Sequence, residues 1–237
     1  MSCFLCIDTA TAVCSVVLTQ NDKVLSIKES TEEKAHASNL GIFVEQVLNE
    51  AAISVNQLDA VAVSKGPGSY TGLRIGVSTA KGLCYGADIP LISVETLQIM
   101  SHGMCREALK TFTNNFSADS ALFCPMIDAR RMEVYTALFD FTNQKINETT
   151  AMIVKEDSFD SILQNAQVVF AGNGADKCRA MLTHKNALFL DNYIHSALYM
   201  INIVQQAYHK SKFENLAYFE PYYLKDFIVT TPKRKVL

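Results

Sequence analysis

The sequence contains no apolar run near the roughly 18 residues that a membrane-spanning helix requires. Its apolar stretches are short and are interrupted by glycine, serine or a charged residue, so we expect no membrane segment. The first residues lack the basic region of a signal peptide, and Asp8 interrupts the nearby apolar stretch. We therefore expect a cytoplasmic protein.

The sequence also lacks a stripe of basic residues. Its 21 Lys and Arg are outnumbered by 24 Asp and Glu, for a formal net charge of −3. Strong independent binding of nucleic acid needs clustered Lys and Arg that displace phosphate counterions. One basic cluster occurs, Lys233-Arg234-Lys235, and we interpret it as a solvated tail, with an RNA contact as the alternative.

Patterns for metal binding and nucleophilic catalysis are missing as well. The five histidines form no His-x-x-x-His pair, and no Gly-x-Ser-x-Gly elbow occurs. His102 and Cys105 could supply two ligands at most, which is too few for a zinc site. The seven cysteines are odd in number and have mostly apolar neighbours, so we predict reduced core residues, including the Cys3-x-x-Cys6 pair. We predict no catalytic residue and no metal.

The first 100 residues alternate between strand and helix patterns. Three short strands with close turns open the chain, and helices and strands then alternate in a β-β-β-α-β-α-β order. Ser38 is a possible cap for the first helix. The predicted elements are strands at 3–8, 13–19 and 24–28, a helix at 40–51, a strand at 60–64, a helix at 71–85 and a strand at 91–94.

The second half repeats landmarks of the first in the same order. Ile127-Asp128 ends a strand pattern as Ile7-Asp8 does, and Gly172-Asn173-Gly174 follows a strand as Gly66-Pro67-Gly68 does. This order predicts an α/β fold of two ribonuclease-H-like lobes, the plan of actin and the sugar kinases. We expect a first lobe at 1–105, on which 194–237 packs back, and a second lobe at 106–193, with the polar stretch 103–120 at the boundary.

The glycine-rich stretch from Gly66 to Gly76 is the strongest motif. Glycines between a strand and a helix can hold an anion on backbone N–H groups. No Gly-Lys-Ser/Thr follows, and Ala10 and Ala12 stand where the backbone would approach phosphate, so we expect no ATP cofactor. Asp8 could also be a simple turn residue. The vestigial nucleotide or anion site would comprise Asp8, Thr9, Gly66, Gly68, Ser69 and Thr71.

Small residues recur every four positions along the second predicted helix, which gives it a face that another element can approach closely. Two glycines inside a helix cost about 1 kcal/mol each relative to alanine, which indicates a packing demand. The alternatives are packing inside the lobe and a helix contact with another chain. In the second case the partner-binding residues would be Leu40, Phe43, Val44, Val47, Leu48, Gly72, Gly76, Ala80 and Leu83.

Several stretches together resemble the TsaB (YeaZ) family, in order and through nearly the whole chain. They are Ile7-Asp8-Thr9-Ala10-Thr11, Gly66 to Gly76 with Ala80-Lys81-Gly82-Leu83, Ile89 to Val94, Ile127-Asp128-Ala129-Arg130-Arg131-Met132-Glu133-Val134-Tyr135, and Pro221-Tyr222-Tyr223-Leu224-Lys225.

The resemblance implies an actin-like, non-catalytic scaffold that pairs with TsaD and the ATPase TsaE. Together these proteins transfer a threonylcarbamoyl group to adenosine 37 of ANN-decoding tRNAs, and the scaffold would meet tRNA only indirectly. It implies pairing through the first two helices, with a homodimer in isolation. Thr96 and Met100 stand where TsaD has two metal-binding histidines. An actin-fold kinase or hydrolase, and a homodimer with a different partner, are the alternatives.

Overall fold

A computed structural model describes residues 2–32, 36–112 and 116–225. The basic cluster at 233–235 lies outside these residues. Within the described ranges, no helix is both long and apolar enough to cross a bilayer.

The first sheet is built from five strands in the order β3-β2-β1-β4-β5. Strands β1 to β3 form an antiparallel meander, whereas β4 and β5 run parallel to β1. The bounds are β1 Cys3–Asp8, β2 Cys14–Gln20, β3 Lys23–Ser30, α1 His36–Glu50, β4 Ala60–Gly66, α2 Tyr70–Ala87 and β5 Leu91–Glu95. All seven predicted elements are confirmed, with small changes at their ends.

Two boundaries differ from the sequence prediction. Helix α1 begins at His36, so Ser38 lies inside the helix and the predicted cap is wrong. Helix α3 occupies Thr96–Thr111. The first part of the predicted boundary stretch, 103–111, is therefore helical, and Met104 and Ala108 are buried against the second sheet.

The second sheet repeats the topology of the first. Its order is β10-β9-β6-β7-β8, in which β6 and β7 pair antiparallel while β9 and β10 run parallel to β6. The bounds are β6 Leu122–Asp128, β7 Glu133–Thr136, β8 Thr150–Ile153, α4 Asp160–Leu163, β9 Val168–Ala171 and β10 Ala187–Phe189. The expected fold class, α/β with two ribonuclease-H-like lobes, is confirmed.

Each face of the first sheet has its own apolar core. Helices α1 and α2 cover one face, on which Leu5, Ile7 and Val63 are buried. The other face carries Phe4, Cys6 and Ala62 and is covered by residues 197–204. This covering segment consists of a 3-10 helix, Ala197–Met200, followed by helix α5, Ile201–His209.

Residues 213–225 form a segment that we call the C-terminal strap. It runs along the first sheet and over α2: Glu214 N–H donates to Leu91 O (2.9 Å), and Tyr222 N–H donates to Lys65 O (2.7 Å). The Lys81 ammonium donates to Phe219 O (3.0 Å). The strap is therefore docked on the first lobe. The division of the chain at residues 105 and 193 stays a prediction.

Candidate functional site

The Asp8 loop, residues 8–13, lies at the carboxyl end of β1, where a nucleotide site was considered. Asp8 is fully buried. Its Oδ1 accepts the Ala10 N–H (2.9 Å), and its Oδ2 lies 2.7 Å from His195 Nε2. Since a carboxylate only accepts, Nε2 is the donor. The turn interpretation of Asp8 is confirmed, and both carboxylate oxygens have internal partners.

Backbone donors of the predicted anion site are also used internally. The Ser69 N–H donates to Ala10 O (2.7 Å), and the Gly72 N–H donates to the Ser69 hydroxyl (3.2 Å), which caps α2. Thr9 is buried, and its hydroxyl donates to Gly72 O (2.8 Å). Ser69 and Thr71 are exposed, whereas Asp8, Thr9 and Gly66 are buried. The Ser69 and Gly72 N–H groups and the Thr9 hydroxyl thus bind the chain's own groups. The vestigial anion site stays a prediction.

The first two glycines of the motif serve close packing. Gly66 has φ +114°, and a Cβ there would lie 2.5 Å from Tyr222 O of the strap. A Cβ on Gly68 would overlap Ala10 O. These glycines let the strap and the Asp8 loop approach the backbone.

The predicted row of small residues on α2 lies on the inner face of the helix, which packs inside the lobe. A Cβ on Gly72 or Gly76 would overlap Thr9, and Ala80 is fully buried. Phe43 and Leu83 are partly buried against the same core, in which Leu40, Val44, Val47 and Leu48 are also buried. Most of the surface of these residues is thus used inside the lobe, and Phe43 and Leu83 keep part of theirs exposed. Their assignment to partner binding stays a prediction.

Helices α1 and α2 present a different surface to solvent, which we call the outer face: Gly41, Ile42, Ser78, Gly82, Tyr85 and Gly86. All six residues are exposed, with Ile42 at 51% and Tyr85 at 84%. A Cβ on any of the three glycines would meet nothing within 4 Å. Ser78, Gly82 and Gly86 are four residues apart, so they form a second row of small residues along α2.

Thr96 and Met100, which stand where the resemblance places metal-binding histidines, are both buried. Met100 packs with Leu97, Ile127 and Phe139. Among the described residues, no group of three or more His, Cys, Asp or Glu is placed to hold a metal ion. His102 is half-buried, and burial followed by the charge of Arg106 lowers its pKa.

The cysteines are core residues, as predicted. All seven are free thiols, and six of them are buried. Burial raises the pKa of Cys6 and of Cys124 to about 12. Because the thiolate is the nucleophile and metal ligand, these groups stay unreactive at neutral pH.

The second lobe repeats the strand-end aspartate with a different partner. Asp128 Oδ1 accepts the Arg130 N–H (2.9 Å), as Asp8 does with Ala10. The Lys177 ammonium pairs with Asp128 and donates to Arg131 O (2.8 Å) and Glu133 O (2.7 Å). Arg130 and Arg131 have φ of +69° and +53°, a region unfavourable for side chains other than glycine. Lys177 thus holds a strained turn.

We expect Lys177→Met to lower the free energy of unfolding by about 2 kcal/mol, since it removes charge-assisted hydrogen bonds to three acceptors. Chemical denaturation would measure the change. Lys185→Met is the matched control, because Lys185 is exposed and makes no ion pair within the described part of the chain. Equal losses in the two variants would contradict the role given to Lys177.

Comparisons with known proteins agree with this architecture. The family model described as TsaD: tRNA N6-adenosine threonylcarbamoyltransferase matches residues 23–232. The tRNA threonylcarbamoyladenosine biosynthesis protein TsaB of Haemophilus influenzae is 28% identical over 94% of this chain and 93% of its own length. The Escherichia coli protein of that name is 30% identical, with 94% of each chain covered.

A solved structure supports the fold. YeaZ from Pseudomonas aeruginosa superposes with a TM-score of 0.79 at 22% identity, over 94% of this chain and 100% of that one. The family assignment rests on the sequence relatives, because each match covers almost the whole length of this chain and of the relative. This chain belongs to the TsaB (YeaZ) family.

Proposed function

We propose that this protein acts in the biosynthesis of threonylcarbamoyladenosine in tRNA as a non-catalytic subunit, and that it binds a TsaD protein through its outer face. The relatives' names support the pathway. The observation that carries the binding mode is the outer face itself, in which three glycines leave open space beside exposed Ile42 and Tyr85.

The outer face suits a pair of helices from another chain. Glycines without neighbours let a second helix approach the backbone closely, and an exposed tyrosine and isoleucine supply apolar area at the contact. A helix that only faced water would gain stability from alanine at these positions. The same surface can pair two copies of this chain, so a homodimer in isolation and a TsaD complex would compete for it.

The non-catalytic role is supported by the internal hydrogen bonds of the Asp8 loop and of the start of α2. The Asp8 carboxylate is bound by Ala10 and His195, and the Ser69 and Gly72 N–H groups are bound by Ala10 and Ser69. These groups would have to release internal partners before they could hold a nucleotide or its metal ion. In this proposal TsaD supplies the transfer chemistry, TsaE completes the complex, and tRNA is met through the complex.

We expect Gly82→Leu to weaken binding of TsaD from the same organism between about tenfold and 100-fold, because the added side chain holds the helices apart. Its melting temperature should be no lower than that of the wild type, because the site is open and leucine is a better helix former than glycine. Titration calorimetry and thermal melts provide the two measurements.

Asn202→Leu is the matched control, since Asn202 is an exposed helical position on α5, across the same sheet. It should leave the affinity unchanged. Wild-type affinity in the Gly82→Leu variant would reject the outer face as the contact.

The role in the pathway is tested by reconstitution with TsaD, TsaE, tRNA and the threonylcarbamoyl donor, omitting each component in turn. Modification should require this chain, and this chain alone should form none. Product formed by this chain alone would instead establish an enzyme, and product formed equally without it would remove it from the reaction.

A further inference from the structure

The Asp8 loop contacts both helices of the outer face from inside the lobe. His36, at the start of α1, lies with Nε2 2.8 Å from Thr11 O and donates to it. Ala10 O accepts the Ser69 N–H at the start of α2, and Thr9 donates to Gly72 O. The loop therefore links the start of α1 to the start of α2.

A buried contact with His195 also holds that loop, at its start. Asp8 Oδ1 closes the turn on Ala10, so Oδ2 is left to His195, which is 4% exposed. A buried carboxylate oxygen without a partner is strongly unfavourable. If the imidazole were absent, Asp8 would have to reach water or another donor, and the loop would shift with it.

His195 is itself held to the first sheet. Two residues later, the Ala197 N–H donates to the Ser15 hydroxyl (2.9 Å) on β2, and that hydroxyl donates to Glu29 (2.7 Å) on β3. Ala197 and Met200 are fully buried on the sheet face opposite α1 and α2. The imidazole thus approaches Asp8 from a fixed position.

We propose that His195 is a positioning residue for partner binding: through Asp8 it sets the loop that fixes α1 and α2, and so it controls the affinity of a face that it does not touch. This inference rests on the proposed function for the identity of the partner. The mechanical link from His195 to the start of α2 is independent of it.

The test compares three variants of the full chain. His195→Leu removes the donor and keeps the bulk, whereas His195→Gln can place an amide N–H where Nε2 stood. Ser196→Ala is the control, since Ser196 is buried and its hydroxyl accepts the Leu198 N–H (3.0 Å) but makes no bond to the Asp8 loop. Each variant is measured for thermal stability, amide exchange of Ser69 and Gly72, and affinity for the TsaD of the same organism.

We expect His195→Leu to speed exchange of the two amides and to weaken TsaD binding about tenfold, and His195→Gln to restore both. Ser196→Ala should lower the melting temperature without either effect. If His195→Leu does not fold, His195→Asn, whose shorter side chain loses the contact, replaces it.

Unchanged amide exchange in the folded variant would overturn the inference, as would the same changes in Ser196→Ala. If the wild-type protein itself does not bind TsaD, the proposed function fails, and the exchange measurement still decides the link between His195 and α2.

Discussion

Gly72→Ala should lower the free energy of unfolding by about 3 kcal/mol, although alanine is a better helix former than glycine. The added methyl would overlap the carbonyl oxygen of Thr9, a backbone atom of a fully buried residue in the Asp8 loop. A backbone atom cannot turn away as a flexible side chain can, so either the loop or the start of α2 must move. Urea denaturation would give the change in free energy.

Gly82→Ala provides the matched comparison, because it makes the same change in the same helix at an open position. There the better helix propensity should act alone and raise stability by up to about 1 kcal/mol. The prediction is therefore a difference in sign between two alanines ten residues apart. Stabilisation by both would mean that Gly72 does not pack as described.

Phe170→Ala should cost about 3–5 kcal/mol, the usual loss for deleting a buried aromatic ring. Phe170 lies on β9, between β10 and β6 in the second sheet, and is fully buried. Its ring contacts Phe159 edge-on at 5.2 Å and stacks on Phe189 at 5.4 Å. The cavity would remain open, since strands β6 and β10 fix the backbone on both sides.

Phe189→Ala is the graded comparison for that measurement. Phe189 is only half-buried, and the guanidinium of Arg179 covers its other surface at 4.4 Å from the ring centre. Truncation there should cost clearly less, because water or the arginine can fill the space. A larger loss at Phe189 than at Phe170 would contradict this account of the second core.

The fold could be predicted from the sequence because the strand and turn patterns are local and occur in both halves of the chain. Strand patterns ending at Asp8 and Asp128, each followed by a turn, predicted the duplicated sheets. In both lobes a positive-φ glycine lies at the end of the fourth strand: Gly66 is the last residue of β4, and Gly172 follows β9 directly. Strands β8 and β10 were not predicted, because four and three residues give too little alternation to detect.

Two features of the candidate site could not be predicted from the sequence, for physical reasons. Helix α2 carries two rows of small residues, one with Gly76 and one with Gly82, and spacing alone cannot tell which row meets the sheet. The row chosen was the buried one. His195 was missed because its partner Asp8 is 187 residues away, and a single histidine gives no periodic signal of such a contact.

The order in which the two lobes can finish folding during synthesis follows from where their covering segments lie in the sequence. The second sheet is complete once β10 has been made, because all its strands lie between Leu122 and Phe189. The first sheet has its strands by residue 95, yet one of its faces is covered only in part, by Ile99 of α3, until 197–204 have been made. The lobe encoded first should therefore finish folding last, and until then Phe4, Cys6 and Ile92 are open to chaperones or to misassociation.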